Sequence, residues 1–455
     1  MEIGVIGAGY VGLTTAACLA ETGHNVFCAE SNTQKLSLLQ QGGLPFFEPG
    51  LELLVSRNRM SGRLSFSTTP EAIERGETIF ICVGTPPLDN GEADLTAIES
   101  VAREIGQHAR SRRLVIEKST VPVQTGRQLQ KHLGLYNRGG GAFDVASNPE
   151  FLREGSAVED FFHPDRIVVG VERPGVAEEI EKIYQPILEG RFECPVHPSC
   201  TPQPVKFLIT DINSAELVKH ASNSFLAMKV SFINLISELC EATGADISKV
   251  AEGIGLDRRI GSAFLRPGIG FGGFCFPKDL QAFVRIAEKF GVDFSLLREA
   301  ERINLRRVDL FVEKVKSELW VLRGKRIGIW GLAFKPNTDD IRYAPPLAIA
   351  RRLLSEGATV SAYDPQAMIK SKDELPQIKY CDDAYEAARG AEALLVLTEW
   401  DEFSNVDLDR VRDLMERPFI ADGRNMFSPE TVAGHGFRYV GIGRSADALA
   451  PAVKE

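Results

Sequence analysis

Short apolar runs alternate along the chain with longer segments in which apolar residues recur every three or four positions. Near the N-terminus, a run at 3–6 precedes a glycine-rich turn, a helical pattern at 13–22 and a second run at 25–29. Unbroken apolar runs are typical of strands buried on both faces, and the strand–helix–strand order predicts parallel pairing. Further runs at 78–83 and 113–117 extend the pattern. It predicts a doubly wound parallel sheet.

A second pattern of the same kind begins at 325–331, continues as a helix at 346–356 and reaches a strand at 359–363. Its first turn lacks the three glycines of the N-terminal pattern. Between the two patterns lies a long helical segment, 214–243, with apolar residues on most of its faces. These residues are Leu217, Val218, Phe225, Leu226, Val230, Phe232, Ile233, Leu235, Ile236 and Leu239. We expect this helix to be buried nearly all round, as a spine between domains or subunits.

The first turn reads Gly7-x-Gly9-x-x-Gly12, directly after a strand and before a helix. In that position backbone N–H groups can approach a pyrophosphate at the positive end of the helix. The second strand ends at Glu30, where an acid accepts hydrogen bonds from a ribose and repels a 2′-phosphate. The pattern predicts NAD rather than NADP. The alternative is a glycine-rich turn that binds nothing.

A proline-rich stretch at 195–206 cannot hold a regular helix and predicts a linker. With the two α/β patterns it gives three domains, at 1–200, 205–300 and 318–455. The fold class is α/β, with two Rossmann-like doubly wound domains joined by a central helical region. The length of 455 residues is in keeping with about three domains.

Composition narrows the function classes. The formal net charge of −10 would repel a polyanion, so no nucleic acid partner is expected. No apolar stretch is long enough for a membrane span and no signal peptide is evident, so we expect a cytoplasmic protein without a membrane partner. The eight cysteines include no CxxC pair, which favours reduced thiols over disulfides or a zinc site, and no metal is predicted.

One cysteine stands apart. Cys275 follows the glycine run 268–273 and precedes Pro277, a residue favoured in the first turn of a helix, which predicts a helix at 277–290. A thiol at a helix N-terminus beside Lys278 is expected to have a depressed pKa and to be a nucleophile. Side chains are absent from the glycines, which would let a substrate reach it. The alternative is a buried structural thiol.

Two further pairs are candidates for chemistry. The segment Asn148 to Gly155 resembles a helix start, with Glu150 and Glu154 one turn apart on the same face. Such acids could activate water, although a solvated acidic helix start is the common alternative. Lys219 and Asn223 are also one turn apart, on the helix expected to be buried. A functional lysine and an interior ion pair are both open there.

These motifs together resemble the UDP-glucose/GDP-mannose dehydrogenase family over nearly the whole chain, from the glycine loop to Asp422-Gly423-Arg424. Besides the motifs above, the resemblance is carried by blocks that occur in the same order. They are Pro45-Phe46-Phe47-Glu48-Pro49-Gly50-Leu51, Val83-Gly84-Thr85-Pro86, Ser119-Thr120-Val121, His163-Pro164-Asp165-Arg166-Ile167 and Phe334-Lys335-Pro336-Asn337-Thr338-Asp339-Asp340-Ile341-Arg342.

The resemblance implies an NAD-dependent four-electron oxidation, in which the C6 alcohol of UDP-glucose becomes the carboxylate of UDP-glucuronate and two NADH are released. Cys275 would add to the intermediate aldehyde, and the thiohemiacetal would lose a second hydride to give a thioester. Family members form dimers through the central helix, so a homodimer or higher homo-oligomer is implied.

The resemblance also assigns catalytic roles. Lys219 and Asn223 would stabilise the oxyanion, and the first deprotonation would use an ordered water or Lys219, with Asp279 nearby. Glu150, with Thr120, would position or activate the water that hydrolyses the thioester.

Binding residues are implied in two sets. Those for NAD are Gly7, Gly9, Tyr10, Val11, Gly12, Glu30, Lys35, Thr85, Thr120, Glu154, Lys278 and Arg342. Those for the nucleotide sugar are Glu150, Phe151, Leu152, Arg153, Glu154, Lys219, Asn223, Arg259, Phe264, Leu265, Arg266, Pro267, Gly268, Gly272, Lys335 and Arg424, with Arg259 reaching a neighbouring subunit's site. The second α/β domain would hold the UDP. Two positions depart from the family pattern, namely Phe274 in place of a small residue and Glu30 in place of Asp.

Alternatives remain within and outside this chemistry. The sugar could be GDP-mannose or a UDP-N-acetylhexosamine, although the block at 148–155 followed by 163–166 most resembles the UDP-glucose branch. A non-catalytic sensor of NAD and nucleotide sugar would need no nucleophile. A two-electron dehydrogenase of the hydroxyacid type would leave Cys275 idle.

Overall fold

The computed structural model describes residues 1–197 and 203–444. The chain divides into two compact units. The N-terminal unit comprises 1–222 with 281–292, and the C-terminal unit comprises 223–280 with the rest of the chain from 293. The linker predicted at 195–206 lies partly outside the described residues.

The N-terminal unit is built on one eight-stranded sheet. Its strands are β1 (Glu2–Ile6), β2 (Asn25–Ala29), β3 (Leu64–Ser67), β4 (Thr78–Ile81), β5 (Arg113–Glu117), β6 (Phe143–Ser147), β7 (Arg166–Val171) and β8 (Lys206–Thr210). Their order is β3-β2-β1-β4-β5-β6-β7-β8. All neighbours are parallel except β6 and β7, which are antiparallel. Successive strands are added on one side of β1 up to β3 and on its other side from β4 onward. Ligands of such sheets bind at this change in strand order.

Helices cover both faces of this sheet. They are α1 (Tyr10–Glu21), α2 (Thr33–Gln41), α3 (Leu51–Met60), α4 (Thr69–Arg75), α5 (Thr96–His108), α6 (Thr125–Tyr136), α7 (Ala157–Phe162) and α8 (Pro174–Leu188). Ile3 and Val5 of β1 pack with α1, α3, α7 and α8, whereas Ile6 packs with α4, α5 and α6. Two covered faces explain why the strands read as unbroken apolar runs.

Two helices have residues in both units, α9 (Ile212–Thr243) and α11 (Cys275–Lys289), and between them lies α10 (Ile247–Gly255). The C-terminal unit adds the helices α12 (Ser295–Leu319), α13 (Pro345–Ser355), α14 (Met368–Glu374), α15 (Ala384–Ala388), α16 (Asp401–Ser404), α17 (Leu408–Leu414) and α18 (Pro429–Gly434). Its strands are β9 (Arg326–Trp330), β10 (Thr359–Tyr363), β11 (Lys379–Tyr380), β12 (Ala393–Val396), β13 (Phe419–Asp422) and β14 (Arg438–Val440).

The second sheet is entirely parallel, in the order β11-β10-β9-β12-β13-β14. Counted from its first strand, this repeats the arrangement of the first six strands of the N-terminal sheet. The predicted α/β fold class with two parallel-sheet domains is therefore confirmed. Among the described residues, no helix combines the length and the apolar character needed to cross a membrane.

The sequence predicted that helix α9 is buried nearly all round, and this prediction is wrong. Half of its ten predicted apolar residues are exposed in the single chain, namely Leu217, Phe225, Phe232, Leu235 and Leu239. Residues 225, 232 and 239 are spaced by seven, which places them along one side of the helix. The helix therefore has two apolar sides. One is buried in the chain and the other is exposed, which is why the sequence shows apolar residues on most of its faces.

Candidate active site

The glycine loop joins β1 to α1, and its three glycines have different physical roles. Gly7 has a φ of 102°, a conformation that favours glycine. A Cβ on Gly12 would lie 1.8 Å from the carbonyl oxygen of Gly7, so the helix could not begin this close to the strand. No atom lies within 4 Å of the Cβ position of Gly9. Open backbone at a helix N-terminus fits a pyrophosphate, so the loop fits a dinucleotide.

Glu30 directly follows β2, as predicted. Its carboxylate accepts a hydrogen bond from the backbone N–H of Asn32 at 2.9 Å and pairs with Nζ of Lys35 at 2.9 Å. Burial by itself would raise the pKa of Glu30, but these two contacts outweigh it and leave the pKa below its ordinary value. A charged acid at this strand end accepts hydrogen bonds from ribose hydroxyls and repels a 2′-phosphate.

Glu30→Gln is expected to weaken the preference for NAD over NADP, because the amide keeps the size of the side chain but loses its charge. A hydrogen bond to a charged group contributes about 1.5–3 kcal/mol, so the ratio of kcat/KM for NAD to that for NADP should fall about 10- to 100-fold. Steady-state kinetics with both cofactors measure it. Glu52→Gln, on the exposed surface of α3, is the matched control, and an unchanged ratio in Glu30→Gln would contradict the assigned role.

Glu48 is a buried carboxylate to which the sequence interpretation gave no role. The hydroxyl of Tyr10 donates to it, and the backbone N–H groups of Gly155 and Ala157 each donate to it at 2.6 Å. It therefore ties the start of α1, where the dinucleotide pyrophosphate is expected, to the start of α7. The available signal was a charged residue inside the apolar and proline-rich block 45–51.

Thr85 and Thr120 lie beyond the carboxyl ends of β4 and β5, two neighbouring strands. The Thr85 side chain is buried, and its hydroxyl donates to the carbonyl oxygen of Thr120 at 2.8 Å. The carboxyl ends of parallel strands at a switch point form the ligand-binding edge of such a sheet. The two threonines, predicted separately, are thus in direct contact at that edge.

The segment 148–155 is a loop, and the prediction of a helix starting at Asn148 is wrong, since α7 begins at Ala157. Asn148 does not cap a helix because distant groups engage its side chain. Its amide nitrogen donates to the carbonyl oxygen of Val168 at 2.8 Å. Its amide oxygen accepts from Nζ of Lys118 at 3.1 Å and from the Tyr184 hydroxyl at 2.6 Å. Sequence spacing gave no sign of these partners.

Two neighbouring ionisable residues at the end of β5 were also missed. Burial lowers the pKa of Lys118 to about 8 and raises the pKa of Glu117 to about 8. Glu117 accepts a hydrogen bond from the backbone N–H of Ser119 at 2.9 Å. Groups with strongly shifted pKa values concentrate at functional sites, so Glu117 and Lys118 are further candidates for the site at the end of β5.

Glu150 and Lys219 form a buried ion pair. Nζ of Lys219 lies 2.9 Å from Oε1 of Glu150, and the two side chains are 4 % and 5 % exposed. The second carboxylate oxygen accepts from the backbone N–H of Leu152 at 2.6 Å, and the Lys219 nitrogen lies 5.5 Å from the centroid of the Phe151 ring. The two catalytic candidates are therefore in contact, and the interior ion pair considered for Lys219 is present.

The rest of the segment is more open. Arg153 is exposed and pairs with Asp160, with Nη2 2.5 Å from Oδ1. Arg166 places its guanidinium 3.6 Å from the centroid of the Phe151 ring. Glu154 is partly buried. The loop thus presents one acid to Lys219 and holds its arginine in a local pair.

In the C-terminal unit, Cys275 is the first residue of α11, two residues earlier than the predicted helix start. It is the one partly exposed thiol among the seven cysteines that the structure describes. In the next turn, Asp279 is buried, with Oδ2 accepting from the Asn223 amide at 2.6 Å and Oδ1 2.8 Å from Nζ of Lys278. The start of α11 thus holds two predicted catalytic residues, Cys275 and Asp279, and the predicted NAD residue Lys278. A third catalytic candidate, Asn223 of α9, contacts Asp279.

The sequence interpretation expected the glycines before Cys275 to leave open space for a substrate. Two of them instead lie against other parts of the protein. A Cβ on Gly272 would lie 2.4 Å from the carbonyl oxygen of Tyr343. Gly273 has a φ of 76°, and a Cβ there would lie 2.7 Å from the Phe334 ring. These two glycines are required because the protein itself packs against the loop.

Residues missed by sequence reasoning hold this loop in shape. The side-chain oxygen of Asn234 accepts from the backbone N–H of Gly268 at 2.8 Å, and that of Asn304 accepts from the N–H of Phe271 at 2.7 Å. Arg307 donates through Nε to the carbonyl oxygen of Gly268 at 3.1 Å. Three buried polar side chains on α9 and α12 thus fix the backbone that leads to the thiol.

Arg424 was assigned to the nucleotide sugar, and its guanidinium is bound to this same region. It donates to the carbonyl oxygens of Leu397 at 2.8 Å, Phe334 at 2.9 Å and Gly270 at 3.3 Å. Glu399 lies 3.4 Å from its Nε. Arg424 therefore holds the strand ends β12 and β13 to the glycine loop.

Three family models match the chain in order. They are the UDP-glucose/GDP-mannose dehydrogenase family NAD binding domain at residues 1–188, its central domain at 213–306 and its UDP binding domain at 328–429. The chain belongs to the UDP-glucose/GDP-mannose dehydrogenase family. It is an NAD-dependent oxidoreductase, and the glycine loop and Glu30 are residues that fit this cofactor.

Individual relatives agree with the family models. The UDP-glucose 6-dehydrogenase TuaD of Bacillus subtilis is 43 % identical over 98 % of this chain and 94 % of its own length. The structure of a UDP-glucose dehydrogenase from Pyrobaculum islandicum matches with a TM-score of 0.87, at 37 % identity over 97 % of this chain and 98 % of that one. A UDP-D-ManNAc dehydrogenase from Pyrococcus horikoshii matches with a TM-score of 0.82, at 25 % identity over 98 % and 100 %.

Phe274, which departs from the family pattern, has two cations close to its ring. The guanidinium of Arg342 is 4.5 Å from its ring centroid and Nζ of Lys278 is 5.5 Å away. Arg342 in turn donates to the Asp340 carboxylate through Nε at 2.9 Å and through Nη2 at 2.7 Å. An aromatic ring is accommodated beside Cys275 because the ring face attracts these cations.

The acid that follows the second strand of each sheet differs in its environment between the two sheets. Asp364, after β10, corresponds in position to Glu30, but it is buried and accepts from the backbone N–H groups of Leu332 at 2.7 Å and Ala333 at 3.0 Å. The Trp400 indole nitrogen donates to the same carboxylate at 3.1 Å. Both acids accept hydrogen bonds from the protein, but Asp364 is buried, whereas Glu30 of the NAD binding domain is partly exposed.

The remaining predicted sugar residues vary in exposure. Arg259 has an 89 % exposed side chain and pairs with Asp257 at 2.6 Å. In the segment 264–268, Phe264 has a φ of 63°, and Leu265 is buried. Pro267 is also buried, and Arg266 is exposed. Nζ of Lys335 lies 5.5 Å from the centroid of the Phe334 ring.

Proposed function

We propose that the protein oxidises UDP-glucose to UDP-glucuronate in two NAD-dependent steps, through a covalent intermediate on Cys275. The observation that carries this proposal is the placement of Cys275, a partly exposed thiol on the first residue of a helix whose next turn holds Lys278 and Asp279. A sensor or a two-electron dehydrogenase would have no need of a nucleophile there.

The choice of sugar rests on the relatives. The UDP-glucose dehydrogenases are 43 % and 37 % identical to this chain, whereas the N-acetylmannosamine enzyme is 25 % identical. The loop at 148–155 supports the same choice, because its block followed by 163–166 most resembles the UDP-glucose branch. GDP-mannose and UDP-N-acetylhexosamines are therefore less favoured substrates.

The chemistry assigns one covalent role to the chain. When bound, NAD supplies a hydride acceptor for each of the two oxidations. The C6 alcohol first loses a hydride and a proton and becomes an aldehyde. The Cys275 sulfur then adds to the aldehyde carbon, and this tetrahedral carbon loses a second hydride to leave a thioester. Water breaks the C–S bond, which releases the carboxylate and returns the thiol. Each turnover thus consumes one water and two NAD and releases two NADH and three protons.

Five further side chains are proposed to assist. Lys219, as an ammonium held by Glu150, can donate to the alkoxide or oxyanion at C6, and Asn223 can donate its amide to the same oxygen. The first deprotonation uses an ordered water, or Lys219 as a neutral amine that becomes this ammonium, with Asp279 beside Asn223. Glu150, with Thr120, positions the water that hydrolyses the thioester. The implied NAD and sugar sets are proposed as the remaining contacts.

The first test counts NADH per mole of limiting nucleotide sugar. UDP-glucose, GDP-mannose and UDP-N-acetylglucosamine are supplied in parallel, each at a concentration well below that of NAD. Two NADH per sugar from UDP-glucose alone is the expected result. One NADH from UDP-glucose would contradict the four-electron mechanism, two from another sugar would contradict the substrate, and none from any of the three would favour the sensor.

We also propose that the enzyme works in the cytoplasm as a homodimer or higher homo-oligomer, divided functionally into 1–200, 205–300 and 318–455. The exposed apolar residues at 225, 232 and 239 of α9 support the dimer, because an apolar stripe with this spacing is suited to packing against a second helix. The mass of the native protein in solution tests it, and a monomer would contradict it.

A further inference from the structure

A group of potential metal ligands lies in the N-terminal unit, among residues to which the proposed reaction gives no role. His163 directly follows α7, and Cys194 and His197 lie beyond α8 in the chain. The ligand atoms of these three residues all lie within 4.8 Å of one another, and among the described residues this is the one such group of histidine, cysteine and acid side chains. We propose that His163, Cys194 and His197 bind a zinc ion.

The donor set favours zinc. One thiolate and two imidazoles are ligands that Zn²⁺ accepts in tetrahedral geometry, with a fourth position available to water. In such a site the ligand atoms are separated by about 3.3–3.6 Å, given zinc–ligand distances of about 2.0–2.3 Å. Here Nε2 of His163 lies 3.1 Å from Sγ of Cys194. Two of the three ligands are thus already close to the required separation, and His197 is exposed and can turn toward them.

The short segment from Cys194 to His197 brings two of the proposed ligands together. Cys194 and His197 are three residues apart, a spacing used by pairs of zinc ligands. The backbone N–H of His197 donates to Sγ of Cys194 at 3.1 Å, and this contact holds the sulfur beside His197. The Cys194 side chain is also buried, which protects a metal–sulfur bond from competing water.

Packing explains why the ligands meet. The Phe192 ring lies 5.1 Å from that of Phe162 and 5.7 Å from that of His163, so the segment after α8 already rests on the end of α7. A zinc ion would fix this contact with bonds stronger than ring packing. The site is therefore proposed as structural, joining two segments whose ligands are 31 residues apart. The sequence favoured no zinc because it has no CxxC pair; Cys200 lies outside the described residues and is not part of the proposed site.

The test measures zinc in the full-length protein, purified without a histidine tag or a chelator. About one zinc per chain is expected in the wild type, and less than about a tenth of that in Cys194→Ala and His197→Ala. His197 is exposed, so its replacement should not prevent folding, and zinc loss in that variant would report a lost ligand. Cys381→Ala is the matched control, since this thiol is buried in the C-terminal unit, and it should retain the zinc.

Cobalt gives an independent readout. After exchange of zinc for Co²⁺, the wild type should show a cobalt–thiolate charge-transfer band that Cys194→Ala lacks. A wild type that keeps no zinc after incubation with equimolar Zn²⁺ and desalting would overturn the proposal. Zinc retained equally by the wild type and both ligand variants would also overturn it, because the ion would then be adventitious or bound elsewhere.

Discussion

Cys275→Ala is expected to abolish the conversion of UDP-glucose to UDP-glucuronate. Without the sulfur, no thiohemiacetal forms, so the second hydride has no tetrahedral donor and no thioester can be made. Loss of a covalent nucleophile should lower kcat by about 10³-fold or more. Anaerobic assays with limiting UDP-glucose should show at most one NADH per sugar, and an added amine should trap any aldehyde that is formed.

Two further variants make this result specific. Cys275→Ser can still add a hydroxyl to the aldehyde, but its ester is a weaker activated intermediate, so it should also fail to complete fast turnover. Cys240→Ala removes a buried thiol of the same unit and should keep two NADH per sugar. Two NADH per sugar from Cys275→Ala, at a rate near the wild type, would exclude the covalent mechanism and leave the family assignment intact.

Replacing either partner of the buried ion pair of Glu150 and Lys219 is expected to destabilise the protein. Removing one partner of a buried ion pair leaves an uncompensated charge, which costs about 3–5 kcal/mol. Lys219→Met and Glu150→Gln are each expected to lower the free energy of unfolding of the N-terminal unit by that amount. Urea or thermal unfolding followed by fluorescence measures the loss. Combining the two changes removes both charges, so the double variant should regain most of the lost stability.

Activity separates a structural role from a catalytic one. The double variant should remain as inactive as Lys219→Met, because stability returns but the ammonium and the carboxylate do not. Lys249→Met removes an exposed cation that pairs with Glu252, with side chains 77 % and 62 % exposed, and should change stability by less than about 1 kcal/mol. Activity that recovers with stability in the double variant would contradict direct catalysis by either residue.

The candidate site divides into parts that local sequence predicts and parts that it does not. The dinucleotide loop was predictable because its glycine spacing is a property of one short segment. The Cβ position of Gly12, for example, is blocked by the carbonyl oxygen of Gly7 in the same loop. Glu30 was predictable because its role depends on its place at a strand end. The helix expected at Asn148 fails for the opposite reason, since Val168 and Tyr184 engage the side chain that would have capped it.

What the sequence by itself determined is the alternation of buried strands and helices, the glycine loop and the acid after β2. These depend on burial pattern and backbone conformation, which are properties of short segments. Only the tertiary structure decided which polar side chains meet. It joins Glu150 to Lys219 across 69 positions and Asn223 to Asp279 across 56. The reason is that a buried charge or amide must find a partner wherever the fold provides one, and that place is fixed by packing rather than by spacing in the chain.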